Sequence, residues 1–272
     1  MGNPYFRFKQ FTVWHDRCAM KVGTDGVLLG AWAGQGLRGK IPPSGPETSK
    51  TSPGTSSDAG PEAFPRTILD IGTGSGLVAL MLAQRFPGAQ VTGIDIDEAA
   101  IAQARENFAG SPWPDRLRAV RQSLQEFCRS TVTGTAGGSF PRFDLIVSNP
   151  PFYDTTLTNP DPVRTAARHT GGLTHEELLL LSASLLSPQG VFSLIIPSES
   201  EKSILRLAER SRLHLHRLTR VYSKPSSRPR RILASFGRQP VSSPVEDTLT
   251  LTGTDGTRSP EHIRLTQDFY LT

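Results

Sequence analysis

The sequence predicts an α/β fold built on a mostly parallel sheet, with helices on both faces and one antiparallel strand near the C-terminus. Three observations carry this expectation. Apolar runs at residues 68–71, 91–94, 117–120, 145–147 and 191–196 are short and continuous, as strands buried on both faces are. Residues 77–86, 98–108 and 176–186 alternate with these runs and repeat apolar side chains at helical spacing. That alternation implies right-handed crossovers, which leave a parallel sheet covered on both faces. Finally, a helix at 199–212 precedes strands at 213–221 and 231–236 with no long helix between them, so one of these two is expected to run antiparallel.

Ahead of the sheet, Phe6, Phe8, Phe11 and Val13 nearly alternate with polar residues and predict a short strand or hairpin with one buried face. Thr24 and Asp25 stand where a helix cap would, before the apolar stretch 27–32. Capping accounts for one of them but not for Lys21, Thr24 and Asp25 gathered among glycines, so a ligand-facing role stands beside it. Residues 34–65 are rich in Pro, Ser, Gly and Thr and cannot bury enough surface to offset the entropy of ordering. The expected organisation is an N-terminal lobe over 1–36, a flexible insertion over 37–66 and the sheet domain over 67–272. A second flexible loop is expected at 134–138, and residues 240–258 are polar with weak apolar content.

Bulk properties exclude several classes. Cys18 and Cys128 lie far apart without CxxC or Cys/His spacing, against both a disulfide framework and a zinc site. No apolar stretch follows Arg7 and Lys9, as a signal peptide would require, and no apolar run approaches the ~18 residues of a membrane span. A soluble, cytoplasmic protein without metal is expected. The formal charge of +5 points to an acidic partner only if a local pattern supports it. One does: residues 204–238 hold ten cations against Glu209 alone, where a merely solvated face would mix signs. Lys224, Arg228, Arg230 and Arg231 fall in an expected loop beside the sheet end, apt for phosphate contacts.

Three motifs carry chemistry. The strand at 145–147 ends in Asn149, Pro150, Pro151 and Phe152, a loop stiffened by two prolines at the sheet edge where ligands bind. It offers an amide, a carbonyl and an aromatic face, which suit a planar group bearing an amine; the bland alternative is a proline turn. Asp70, Gly72, Gly74 and Gly76 follow another strand and open a helix, where glycines allow close backbone approach to a ligand. The spacing is GxGxG, not the GxGxxG of dinucleotide binders. Asp95 ends the next strand, where an acidic residue reaches ribose hydroxyls, while Asp97 fits the helix cap.

These residues resemble the class I S-adenosylmethionine-dependent methyltransferases, in the Asn-Pro-Pro-aromatic branch that acts on planar amino groups. Phe8 to Phe11, Met20 to Trp32, Ala167 to Thr170 and Leu265 to Leu271 are similar to the bacterial tRNA adenine-N6 methyltransferases, which modify the adenine beside the anticodon of a valine tRNA. The resemblance implies a Rossmann-like sheet, S-adenosylmethionine as cofactor, tRNA as partner and a monomer. It implies Lys21, Thr24, Asp25, Asp70, Gly72, Gly74, Gly76, Asp95, Ile96, Ser123, Leu124 and Asn149 at the cofactor. Asn149, Pro150 and Phe152 are expected to be catalytic, the first two accepting the hydrogens of the target N6 and the third stacking on a splayed-out base. Pro151, Tyr153, Arg168, His169, Lys224, Arg228, Arg230 and Arg231 are expected to touch RNA. The chain departs at Ser123, where many class I enzymes carry an acidic residue for the cofactor's adenine amine. Competing readings are an Asn-Pro-Pro enzyme acting on protein glutamine, DNA adenine or ribosomal guanine, a nicotinamide-dependent oxidoreductase, and a catalytically silent RNA-binding protein.

Overall fold

Each central strand sends alternate side chains to opposite faces of one eight-stranded sheet, and a different set of helices covers each face. The computed structural model describes residues 3–18, 20–35, 65–133, 142–150 and 173–271. In chain order these form β1 (Tyr5–Arg7), β2 (Thr12–Trp14), α1 (Thr24–Trp32), β3 (Thr67–Ile71), α2 (Leu77–Arg85), β4 (Gln90–Asp95), α3 (Glu98–Ala109), β5 (Leu117–Arg121) and α4 (Leu124–Thr133). There follow β6 (Phe143–Ser148), α5 (His175–Leu185), β7 (Leu186–Pro197), α6 (Glu201–Arg210), β8 (His214–Tyr222), β9 (Pro229–Gly237), β10 (Val245–Thr250) and α7 (Pro260–Thr266).

The sheet order is β10-β8-β9-β7-β6-β3-β4-β5. Only β9 runs against its neighbours, so it is the expected antiparallel strand. Ile68, Leu145, Val147, Ile195 and Leu233 face one hydrophobic cluster with α1, α2 and α3. Leu69, Ile71, Ile146, Phe192, Leu194 and Ile232 face the other with α5 and α6. This two-sided burial is why the strands read as continuous apolar runs in the sequence. The β1–β2 hairpin packs Phe8 and Phe11, stacked at 4.7 Å, into the first cluster together with Phe269.

Two local expectations need correction. Neither Thr24 nor Asp25 caps α1: its N-cap is Gly23, with no side-chain cap bond, and the helix begins at Thr24 itself. The polar stretch 240–258 holds β10, an edge strand in which only Leu249 is buried. Its polar character is structural, because Asp247 receives Arg217 Nη2 at 2.6 Å from the neighbouring β8. The insertion at 37–66 lies almost wholly outside the described residues, as do the loop at 134–138, Pro151, Phe152, Tyr153, Arg168 and His169.

Candidate active site

The parallel strands β6, β3, β4 and β5 lie side by side, so their carboxyl ends form one continuous rim. The candidate residues that β3 to β6 supply stand along it. At the end of β3, Asp70 is 1 % exposed and accepts bonds from Thr73 Oγ1 at 2.7 Å and the Ala79 amide at 3.2 Å. The Gly72 and Thr73 amides are tied to the Ile94 carbonyl at 2.9 and 3.0 Å, and the Gly74 amide to Asp95 Oδ2 at 2.9 Å. Gly72, Gly74 and Gly76 have φ of +71°, +54° and +81°, the left-handed region that favours glycine. A Cβ on Gly72 or Gly74 would meet nothing within 4 Å among the described residues, so this stretch presents bare backbone to them.

Burial pushes the Asp70 carboxyl up to about 7, against the bonds from Thr73 and Ala79 and with a smaller contribution from the Asp95 charge. The folded state therefore holds a proton here that the unfolded chain releases near 3.8. The sign follows: the buried group favours the folded state most at low pH, and that contribution falls between about pH 4 and pH 7. We expect Asp70→Asn to remove this slope, so that its melting temperature relative to wild type rises from pH 5 to pH 8. A constant difference across that range in calorimetry would place the titration elsewhere.

Asp95 also accepts the Asp97 amide at 3.0 Å, while Asp97 caps α3 by accepting from Ala99 N at 2.9 Å. Each Asp95 oxygen thus takes one backbone donor and keeps capacity for another. Ile96 beside it is 67 % exposed, a large apolar side chain that the core does not use. The end of β5 is joined here by the Gln122 amide to the Asp95 carbonyl at 2.9 Å. Ser123 follows, but its hydroxyl is engaged in a capping box: it accepts Glu126 N at 3.1 Å and donates to Glu126 Oε2 at 2.9 Å. Leu124 is buried in the core.

At the end of β6, Ser148 Oγ donates to the Ile71 carbonyl at 3.0 Å and fastens this corner to the glycine loop. Asn149 is next. Its Nδ2 donates weakly to Met20 Sδ at 3.7 Å, and its Oδ1 is buried without a partner among the described residues. Pro150 is buried behind it. An orphaned buried acceptor costs about 1–3 kcal/mol, and buried polar groups ordinarily have partners. Met20 was not among the expected site residues, and nothing in a lone methionine could have singled it out.

Lys21 and Thr24 are exposed, and Asp25 is paired with Arg231, whose Nε donates to its Oδ2 at 2.8 Å. Arg231 opens β9 opposite Pro197, the last residue of β7, and so stands at the same rim. The expectation of a one-signed basic surface needs correction in part. Arg210, Arg217, Arg220 and Arg231 pair with Glu176, Asp247, Glu201 and Asp25, all outside the window of residues 204–238. Arg220 is also paired with Glu246. Lys224 and Arg228 on the β8–β9 turn and Arg230 at the start of β9 remain exposed, with no carboxylate partner among the described residues; the expected loop ends at Arg228, because Arg230 and Arg231 already belong to β9.

Comparison with known proteins shows the family. Residues 59–209 match the family described as "Methyltransferase small domain". A relative from Phocaeicola vulgatus called tRNA1(Val) (adenine(37)-N6)-methyltransferase is 44 % identical over 271 residues, covering 100 % of this chain and 99 % of its own. One of the same name from Bacteroides thetaiotaomicron is 42 % identical over 273 residues, covering 100 % and 99 %. Among solved structures, an Agrobacterium tumefaciens protein described as a "predicted O-methyltransferase" superposes with a TM-score of 0.56 at 20 % identity, covering 74 % of this chain and 88 % of that one, which shows the shared fold. With a glycine loop, an acidic strand end and an asparagine-proline loop on one rim, and full-length likeness to these relatives, the chain belongs to the bacterial tRNA1(Val) (adenine(37)-N6)-methyltransferase family.

Proposed function

We propose that this protein transfers a methyl group from S-adenosylmethionine to N6 of the adenine beside the anticodon of a valine tRNA. The observation that carries the reading is the partnerless, buried Asn149 Oδ1 on the rim beside a glycine loop with open space above it. Asp95, Ile96 and the bare backbone at Gly72 and Gly74 would hold the cofactor, which supplies a methyl group activated on a sulfonium. Asn149 Oδ1 and the Pro150 carbonyl accept the two N6 hydrogens and aim the nitrogen lone pair outward. Phe152 stacks on the flipped base, a contact worth ~1–3 kcal/mol. No strong base is required, because the amine attacks while neutral and the resulting cationic N6 then gives up one proton to water; the protein contributes position.

The test is methyl transfer to total tRNA from a strain lacking the gene, followed by nucleoside mass spectrometry. N6-methyladenosine confined to one valine tRNA is the expected product. Methyl groups on guanine, on protein or on DNA in parallel reactions would move the enzyme elsewhere within its class. The exposed cations Lys224 and Arg228 of the β8–β9 turn and Arg230 at the start of β9 are the proposed phosphate contacts. Reversing Lys224, Arg228 and Arg230 to Glu should raise KM for tRNA and flatten its dependence on salt by about one slope unit per lost contact. Turnover at saturating RNA should change much less. An unchanged salt slope would remove this turn from the interface.

A further inference from the structure

A cleft of about 560 Å3 lies between the start of the N-terminal hairpin and the C-terminal segment, outside the residues assigned to methyl transfer. Its walls are aromatic: Tyr5 and Phe6 are 38 and 36 % exposed, and Phe6 meets the Tyr270 ring edge-on at 5.9 Å. Its charge is one-signed. Arg7 and Arg258 line it, no carboxylate among the described residues does, and the Arg258 guanidinium lies 5.2 Å from the Tyr270 ring centroid.

His262 adds an acceptor to this wall. It is only 7 % exposed, and its Nδ1 lies 3.1 Å from the Leu251 carbonyl. A carbonyl can only accept, so Nδ1 carries the hydrogen and Nε2 is left with a lone pair. Nε2 is buried and has no partner among the described residues. Burial, with a smaller contribution from the Arg258 charge, lowers the His262 pKa, which keeps the ring neutral and Nε2 an acceptor. A covered protein–protein face would account for the aromatic rings but not for two cations and an unused buried acceptor. Together the three kinds of group match one ligand chemistry: a planar base with an N–H edge, carried on a phosphate.

We infer that this cleft is a second nucleotide site, which takes an unpaired base of the RNA substrate on the exposed Tyr5 ring with its phosphate on Arg7 and Arg258. This rests on the RNA-modifying function proposed above and adds a subsite to it. The cleft is tied to the methyl-transfer rim by a short chain of contacts. Tyr5 packs on Trp14 at 5.0 Å, the Trp14 amide donates to Asn107 Oδ1 at 2.9 Å, and Asn107 Nδ2 donates to the Ser75 carbonyl in the glycine loop at 2.8 Å. An RNA held at both places would be gripped on either side of its flipped adenine.

The experiment uses the full chain, with fluorescence anisotropy on labelled valine tRNA and steady-state methylation of the same RNA. Tyr5→Ala should weaken tRNA binding roughly ten-fold, and Tyr5→Trp should restore it, because stacking asks only for a π-face. The Arg7→Glu/Arg258→Glu pair should weaken binding to a similar extent and reduce the salt slope. In methylation the loss should fall on KM for tRNA and not on kcat. If wild type methylates tRNA while all three variants bind it as wild type does, the cleft is not an RNA site although the function stands. If wild type binds tRNA through Tyr5 and Arg7 but transfers no methyl group, the cleft stands and the function does not.

Discussion

Asn149→Ala is expected to reduce methyl transfer by about 10²–10³-fold, the scale on which removing one preorganised polar contact to a developing charge acts. As N6 becomes tetrahedral its hydrogens acquire positive charge, so an acceptor pays its largest return in the transition state and little in the ground state. Affinity for S-adenosylhomocysteine should stay within a few-fold. The structure adds a second half to this result. Asn149 Oδ1 is buried with no partner, so its removal discards an unsatisfied acceptor and gives up only the weak bond to Met20. The melting temperature should therefore hold or rise as activity collapses. Asn149→Asp keeps an acceptor and should retain more activity than Ala. Single-turnover methylation alongside calorimetry checks both halves; an active Asn149→Ala enzyme would take the loop out of the mechanism.

Gly76→Val should do the opposite, lowering the stability of the fold more than any affinity for ligand. Its φ of +81° is strained for any side chain, and its Cβ would lie 2.4 Å from the Phe108 ring, which is buried and cannot withdraw. Left-handed strain and overpacking together cost roughly 3–5 kcal/mol. For a chain of this size that corresponds to a fall in melting temperature on the order of 10 °C. Gly74→Ala is the control. Its φ of +54° carries modest strain, but nothing lies within 4 Å of its Cβ, so its loss should appear in affinity for S-adenosylhomocysteine and hardly in folding. Equal destabilisation by the two substitutions would mean that the space above Gly74 is not reserved for a ligand.

The sheet was legible because its strands are buried on both faces, which leaves uninterrupted apolar runs such as Leu145 to Val147. β10 was not, since an edge strand that buries only Leu249 has no periodicity to show. The start of α7 was readable in principle: Ser259 caps it and Pro260 sits in its first turn, but seven residues with few buried side chains give a weak helical signal. The glycine loop and the asparagine-proline loop were visible because their chemistry depends on contiguous residues. The basic window was over-read for the complementary reason. Its neutralising carboxylates, Glu176, Glu201, Glu246, Asp247 and Asp25, come from other parts of the chain, and linear charge counting cannot see across a fold. Met20 at Asn149 and Asn107 between hairpin and glycine loop were invisible on the same account, being contacts between distant positions.

The pair between Asp25 and Arg231 spans 206 positions, and Lys9 Nζ reaches the Gln267 carbonyl across 258. During synthesis the amino-terminal segment must therefore wait, its acidic side chain without the arginine and its aromatic residues without Phe269, until almost the whole chain has left the ribosome. Contacts of such separation form late, because loop closure must be paid before they give any return. β9, which must enter between β7 and β8, imposes the same delay on the sheet. The rim is thus completed by the last quarter of the polypeptide, and a nascent chain that stalls before β9 would carry every glycine of the glycine loop and still lack a finished rim.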